Sequence, residues 1–336
     1  MTALALVAPM EAKLVPVLPT EPGWQFEPKW DGFRCIAYRD GDTVDLQSKS
    51  GKPLARYFPE VVELMRALDG ERFVLDGELL IPIDDTLSFD ALQARLHPAA
   101  SRVTRLSRET PALFMAFDCL VHGEHVLADK ALSSRRVALE AFAARQTRAD
   151  FMLSPSTIRL QDAEDWLARS GGALDGVVAK RLTDPYRAGE RAMLKVKKVR
   201  TADCIVAGFR DASGSSAIGS LLLGLYDEAG LVNHVGFTSA IKADEQAALR
   251  ERLSPYIGGT GFTGKAPGGP SRWSTERSSQ WTSLAPELVV EVSFDQVTAA
   301  RFRHGTSIVR WRPDKLATQC TMDQLAYALK PAELGL

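Results

Sequence analysis

The residues best suited to chemistry begin with the run Lys29-Trp-Asp31-Gly32-Phe-Arg34. A lysine at the end of a β-rich segment, followed by a glycine-assisted turn, projects its amine from a rigid edge into a cleft, where it can act as a nucleophile. Alone, the string also fits an ordinary exposed lysine before a turn. Five further strings follow in order: Asp76-Gly-Glu78, Phe117-Asp118, Asp175-Gly-Val-Val-Ala-Lys180, Leu194-Lys195-Val-Lys197 and Arg310-Trp-Arg312-Pro-Asp314-Lys315. Period-two spacing places Lys195 and Lys197 on one face of a strand. Phe117 is either an aromatic platform or a core side chain on a buried strand.

Other strings carry less. Gly259-Thr-Gly261-Phe-Thr-Gly264 matches G-x-G-x-x-G. A dinucleotide site needs that string between a strand and a helix N-terminus. Here it runs into Lys-Ala-Pro-Gly-Gly-Pro, where no helix can start. No Walker A string occurs. His122-Gly-Glu-His125 falls at a hairpin turn rather than on a helix face, which argues against zinc. His97, His234 and His304 are isolated, and no Ser/His/Asp set has supporting spacing.

The elements that must position these residues differ along the chain. WQFEPKW, FRCIAYRD and TVDLQSK read as strands, the last two joined by a turn at Asp40-Gly41-Asp42. FPEVVELMRAL reads as an amphipathic helix entered through Pro59. RFVLDGELLIP and ALFMAFDCLV read as buried strands. Helices over about 133–145 and 162–170 separate them from DGVVAK and AMLKVKK, and the irregular spacing predicts α+β layers. After Arg200, CIVAGFR, SLLLGLYD and VNHVGFTS are short strands, followed by a helix near 244–253 and the strand LVVEVSFDQV. That pattern suits a small β-barrel such as an OB-fold. The boundary is placed near Val199–Ala202, giving domains over 1–200 and 201–336.

Composition bounds the answer. The 336 residues are 45% hydrophobic and 25% charged, ordinary globular values. There is no apolar run of bilayer length and no basic N-terminal leader pattern, so neither a membrane span nor a secretory signal is expected. Cys35, Cys119, Cys204 and Cys320 are widely spaced, which reads as reduced thiols in a cytoplasmic protein. With 41 basic and 42 acidic residues, bulk charge announces no polyanion partner, and any nucleic-acid surface must be local. Two clusters qualify: Lys195, Lys197, Lys198 and Arg200, and five cations between residues 299 and 315 that face only Asp314.

The six strings, in this order, resemble the motifs of the covalent nucleotidyltransferases, and within them the ATP-dependent DNA ligases, most like the small C-type ligases of actinobacteria. The resemblance implies a nucleotidyltransferase domain of antiparallel sheets and helices followed by an OB-fold. It implies that Lys29 attacks the α-phosphate of ATP, giving a lysyl–AMP, that AMP passes to the 5′-phosphate of a nick, and that the 3′-OH then displaces it. Glu27 matches the adenine reader, Arg34 the arginine on the sugar side, Phe117 the adenine platform, and Arg191 the arginine ahead of the Lys195/Lys197 motif. Glu78 and Asp175 match carboxylates for Mg²⁺, with Mn²⁺ as an alternative. Lys195 and Lys197 face the phosphates and are expected to lower the pKa of Lys29. Arg312, Asp314 and Lys315 match the closing motif that reorients pyrophosphate, which requires the barrel to swing toward the cleft.

Three departures stand out. Asp175 replaces the glutamate common in relatives, and Lys49, in an ATP-site position, replaces an arginine, turning a bidentate contact into a point charge. Only 28 residues precede Lys29, so the N-terminal DNA-binding domain of larger ligases is expected to be missing. The loop over 258–281 is expected to help hold the duplex instead, through Lys265, Arg272 and Arg277, with Trp273 and Trp281 either on the DNA or tucked into the barrel. The expected partner is nicked duplex DNA, with a primase-polymerase or other repair proteins beside it, for a monomer near the nucleoid. The rival readings are an RNA-directed relative, either an RNA ligase or a GTP-charged capping enzyme, and an inactive OB-type nucleic-acid binder.

Overall fold

The computed structural model describes residues 6–325 except 85, 171–173, 213, 216, 269–279, 299 and 304. The described chain divides into two units between Lys198 and Val199.

In the first unit Lys29 and Trp30 end a strand of a four-stranded sheet ordered Ala12–Leu14, Met193–Val196, Leu174–Arg181, Trp24–Trp30. Trp24–Trp30 is therefore an outer strand of its sheet, which is what admits Pro28 within it. A second sheet runs Phe151–Leu153, Leu113–His122, Arg72–Leu80, Phe33–Asp40, Thr43–Ser48. Asp40 pairs with Thr43, so Gly41 and Asp42 form the two-residue hairpin loop read from the sequence, with Gly41 at φ +60°. The helix Pro59–Ala67 starts on its proline and buries Val61, Leu64 and Met65, the spacing of a single apolar face. Helices Leu132–Ala143 and Leu160–Ala168 occupy the predicted places.

The second unit is a barrel of antiparallel neighbours ordered Val232–Thr238, Ile218–Tyr226, Arg200–Asp211, Val289–Phe294, Ser307–Trp311, closed by a parallel bridge between Thr238 and Thr306. Its end strands meet where Thr306 N–H donates to the Phe237 carbonyl at 3.1 Å and Thr238 Oγ1 to the Thr306 carbonyl at 2.8 Å. Cys204, Ile205, Val206, Leu221, Leu223, Val290 and Val292 fill its core. Among the elements not foreseen are helices Phe89–Arg95 and Ala100–Glu109, and the strand Ser307–Trp311. The first helix is short and capped by Ser88; the second is rich in arginine; the strand is mostly exposed and lacks an apolar alternation. Among the described residues no helix is long and apolar enough to cross a membrane.

Candidate active site

The first unit contains a cavity of about 190 Å³. Lys29, Glu27, Arg34, Lys49, Glu78, Phe117, Lys180 and Lys195 all line it, so residues from five of the six strings converge on one space. Strand register explains the convergence. Gly176 lies opposite Lys29 and Val178 opposite Glu27, while Val178 also pairs with Lys195 on its other side. One central strand thus carries the nucleophile strand and the two-lysine strand as its neighbours. Arg34 and Glu78 are opposite each other in the second sheet.

Gly176 makes this arrangement possible. Its φ is +138°, and a Cβ placed there would lie 2.1 Å from the Val196 carbonyl oxygen. Only glycine lets the backbone take that conformation and approach so closely.

Asp175, just before it, accepts from Lys29 Nζ at 2.5 Å and pairs with Lys197 Nζ at 2.9 Å through the same oxygen. Burial pulls the Lys29 ammonium toward deprotonation, but the charge and hydrogen bond of Asp175, with Glu78 and Asp31, more than offset it and hold its pKa above the ordinary value. This corrects the expectation that neighbouring lysines lower it. The depression falls on Lys195 instead, through burial and then repulsion from Lys29, Lys197 and Lys49. The Glu78 carboxyl is pushed up to about 7, chiefly by burial, against the pull of Arg34 and Lys29.

Part of the cavity lining belongs to a buried polar network. Glu27 accepts from Gln25 Nε2 at 2.8 Å and from Lys180 Nζ at 2.7 Å. Arg34 donates twice to Asp76, at 2.5 Å each, and Tyr186 Oη donates to the same carboxylate at 2.6 Å. Both Arg34 and Lys180 lie over the Phe117 ring, at 4.6 and 4.8 Å from its centroid. Lys180, Asp76, Tyr186 and Glu11 were not singled out as site residues. Lys180 and Asp76 end and begin motif strings and were in view; nothing local marks Tyr186 or Glu11.

Not every candidate lies at this cavity. Asp175 and Lys197 reach it through Lys29 and are not part of its wall. Arg191 is 75% exposed and sits 3.9 Å from Glu11, which Lys49 also pairs with at 3.1 Å. Arg312, Asp314 and Lys315 belong to the barrel unit. There Lys265 is exposed, and Trp281 is half-buried, edge-on to Phe262 at 5.3 Å, inside the barrel packing. Arg272, Trp273 and Arg277 lie outside the described residues.

Among the described residues no three His, Cys, Asp or Glu side chains come together as a metal cage. Glu78, in the cavity wall, and Asp175, on Lys29, are of the donor chemistry that Mg²⁺ takes, one or two carboxylates completed by water and phosphate oxygens.

A family model described as the ATP dependent DNA ligase domain matches residues 9–197, and one for the ATP dependent DNA ligase C terminal region matches 214–315. The chain belongs to the ATP-dependent DNA ligases. Its first unit is accordingly the nucleotidyltransferase domain and its barrel the OB-fold. DNA ligase C2 of Mycolicibacterium smegmatis is 43% identical to this ligase over 95% of the chain and 94% of that protein. DNA ligase C of Mycobacterium tuberculosis is 43% identical over 96% and 94%. The multifunctional non-homologous end joining protein LigD of Mycobacterium bovis is 29% identical, with the match spanning 36% of its length. A solved Lig E DNA ligase shares the fold of this ligase, with a TM-score of 0.54 at 19% identity over 92% of the chain and all of the other.

Proposed function

We propose that this ligase seals nicks between a 3′-OH and a 5′-phosphate in DNA repair, through AMP carried on Lys29. The supporting observation is that Lys29 stands in one cavity with Glu27, Arg34, Glu78, Phe117 and Lys195. The Lys29 amine attacks the α-phosphorus of ATP, a P–N bond forms, and the P–O bond to pyrophosphate breaks. Before that the ammonium passes a proton along its 2.5 Å hydrogen bond to the Asp175 carboxylate, which frees the amine lone pair. Lys195 and Lys49 offer charge to the phosphates, and Glu27 with Lys180 reads the base edge. Glu78 and Asp175 would hold Mg²⁺ (or Mn²⁺), which when bound would supply positive charge against the phosphate oxygens. In this reading residues 1–200 carry charging, and the barrel, residues 201–336, delivers Arg312, Asp314 and Lys315 to pyrophosphate and grips the duplex.

DNA contacts from Lys265, Arg272 and Arg277 are part of the proposal. Each phosphate contact steepens the salt dependence of binding by about 0.9 in log–log slope. We also place the ligase as a cytoplasmic, nucleoid-associated monomer that works beside a primase-polymerase or other repair proteins. The kinship with DNA ligase C and LigD, by their names, supports repair.

The test is covalent labelling. The full chain incubated with α-labelled ATP and no DNA should take up label, and Lys29→Ala should take up none while still sealing a pre-adenylated nick slowly. Label from GTP in preference to ATP would favour an RNA-directed enzyme, and no label from either would leave only a nucleic-acid binder.

A further inference from the structure

The closing motif is held by a carboxylate outside every motif string. Arg312 N–H donates to the Val289 carbonyl at 2.9 Å as the chain leaves the Ser307–Trp311 strand. Lys315 N–H then donates to the Arg312 carbonyl at 3.2 Å, closing a tight turn with Pro313 and Asp314 at its centre. Proline presets the backbone for that position of a turn, and the reversal brings the first and fourth side chains to one side. Both of those side chains meet Asp203. Arg312 Nη1 donates to its two oxygens at 2.9 and 3.1 Å, and Lys315 Nζ donates to Oδ2 at 2.7 Å.

Asp203 is itself fixed. It is 8% exposed, in the middle of the Arg200–Asp211 strand and opposite Glu291. Its backbone N–H and carbonyl are both bonded to the Gln324 side chain, at 2.9 and 3.2 Å. Glu291 in turn lies opposite Arg310 and accepts from its Nε at 2.7 Å. A row of two carboxylates across adjacent strands thus carries three cations of the closing motif.

The two cations on Asp203 are not equivalent. Arg312 also donates through Nε and Nη2 to Asp314, at 2.9–3.2 Å, so its fork is largely committed to the protein. Lys315 makes one side-chain hydrogen bond among the described residues and keeps 23% of its side chain exposed. An ammonium has three donors, so two remain for a phosphate. Lysine is otherwise a flexible point charge on a four-carbon stem, and its aim must come from a partner.

We propose that Asp203 is a positioning residue for charging: it aims Lys315 at pyrophosphate, with Arg312 bracing the carboxylate. The inference rests on the assignment of Arg312 and Lys315 to the ATP step.

Asp203→Asn keeps the shape and leaves the Gln324 contacts, which use only backbone atoms, in place. The full chain with ATP and Mg²⁺ should charge about 10- to 100-fold more slowly, with the loss in kcat rather than in the KM for ATP. Pyrophosphate-driven discharge of the AMP-bound enzyme should slow to match, as the same step run backwards. Sealing of a pre-adenylated nick should stay near the parent's when both proteins are assayed below their own melting temperatures. Charging at or above the parent rate would overturn the proposal, since it would make Asp203 a restraint. An equal loss in charging and sealing would overturn it too, as a general structural effect. Lys315→Ala runs alongside. If it spares charging, the underlying assignment fails and the inference with it; if it slows charging while Asp203→Asn does not, only the inference fails.

Discussion

Gly176→Ala tests whether the site depends on the close approach of two strands. The residue faces Lys29 across one edge of its strand, and an added Cβ would lie 2.1 Å from the Val196 carbonyl oxygen and 3.1 Å from the Lys197 Cα. Carbon–oxygen contacts are comfortable from about 3.3 Å, so the strand ending in Lys195 and Val196 has to retreat by about 1 Å. A displacement of that size at reacting groups costs about 100-fold in rate, which is the slowing expected in self-adenylylation. Holding alanine at φ +138° adds about 1–3 kcal/mol of strain and the overlap about 1–3 kcal/mol more. Gly123→Ala is the control, because Gly123 also has positive φ, +58°, but nothing lies within 4 Å of its added Cβ. Single-turnover labelling with ATP, run below the melting temperature of each variant, separates the two effects. Charging within threefold of the parent, with a melting temperature no lower than that of Gly123→Ala, would refute the reasoning.

Two further predictions concern titration. With its pKa held above the usual 10.5, Lys29 contributes ion-pair stability that is complete below that pH and is lost as pH rises through its folded value. In competitive acylation of the free protein, read by peptide mass spectrometry, Lys195 should gain reactivity at lower pH than Lys29, and the reverse order would contradict the electrostatics. The Glu78 carboxyl, at about 7 in the fold against 4.5 in the unfolded chain, costs nothing below pH 4.5 and up to about 3 kcal/mol above pH 7. The melting temperature gained by Glu78→Gln should therefore be larger at pH 8 than at pH 5, and a pH-independent difference would count against burial as the cause.

What the sequence revealed and what it hid follow from distance along the chain. Strands such as Phe33–Asp40 and Leu113–His122 announce themselves because their apolar runs and flanking turns are local. The nucleophile string, the carboxylates and the paired lysines were visible for the same reason. Helix Ala100–Glu109 was not, since three arginines and a single buried residue, Val103, leave little apolar periodicity to read. The charge state of Lys29 was misread because its neighbouring cations lie within view in the sequence order of motifs, while the geometry that decides the matter is a 2.5 Å contact with Asp175. Spacing puts Lys195 and Lys197 on one strand but gives no measure of which lysine the carboxylate meets.

The same limit explains the ion pairs that went unread. A site that binds polyphosphate must gather cations, and breaking a buried ion pair is strongly destabilising, so nearly buried anions come with several of them. Glu27 holds Lys180, Asp76 holds Arg34, Asp175 holds Lys29 and Lys197, and Asp203 holds Arg312 and Lys315. These partners are nearly buried and come from other strands, which fixes the direction each cation faces. Glu11 is different. It is one-third exposed on an exposed Lys49, a kind of pair worth about 0–1 kcal/mol, so a phosphate oxygen displaces it at little cost. Burial of the partner thus sorts the cations into those held in a set direction and those on Glu11, Lys49 and Arg191, whose carboxylate is exposed enough to be exchanged.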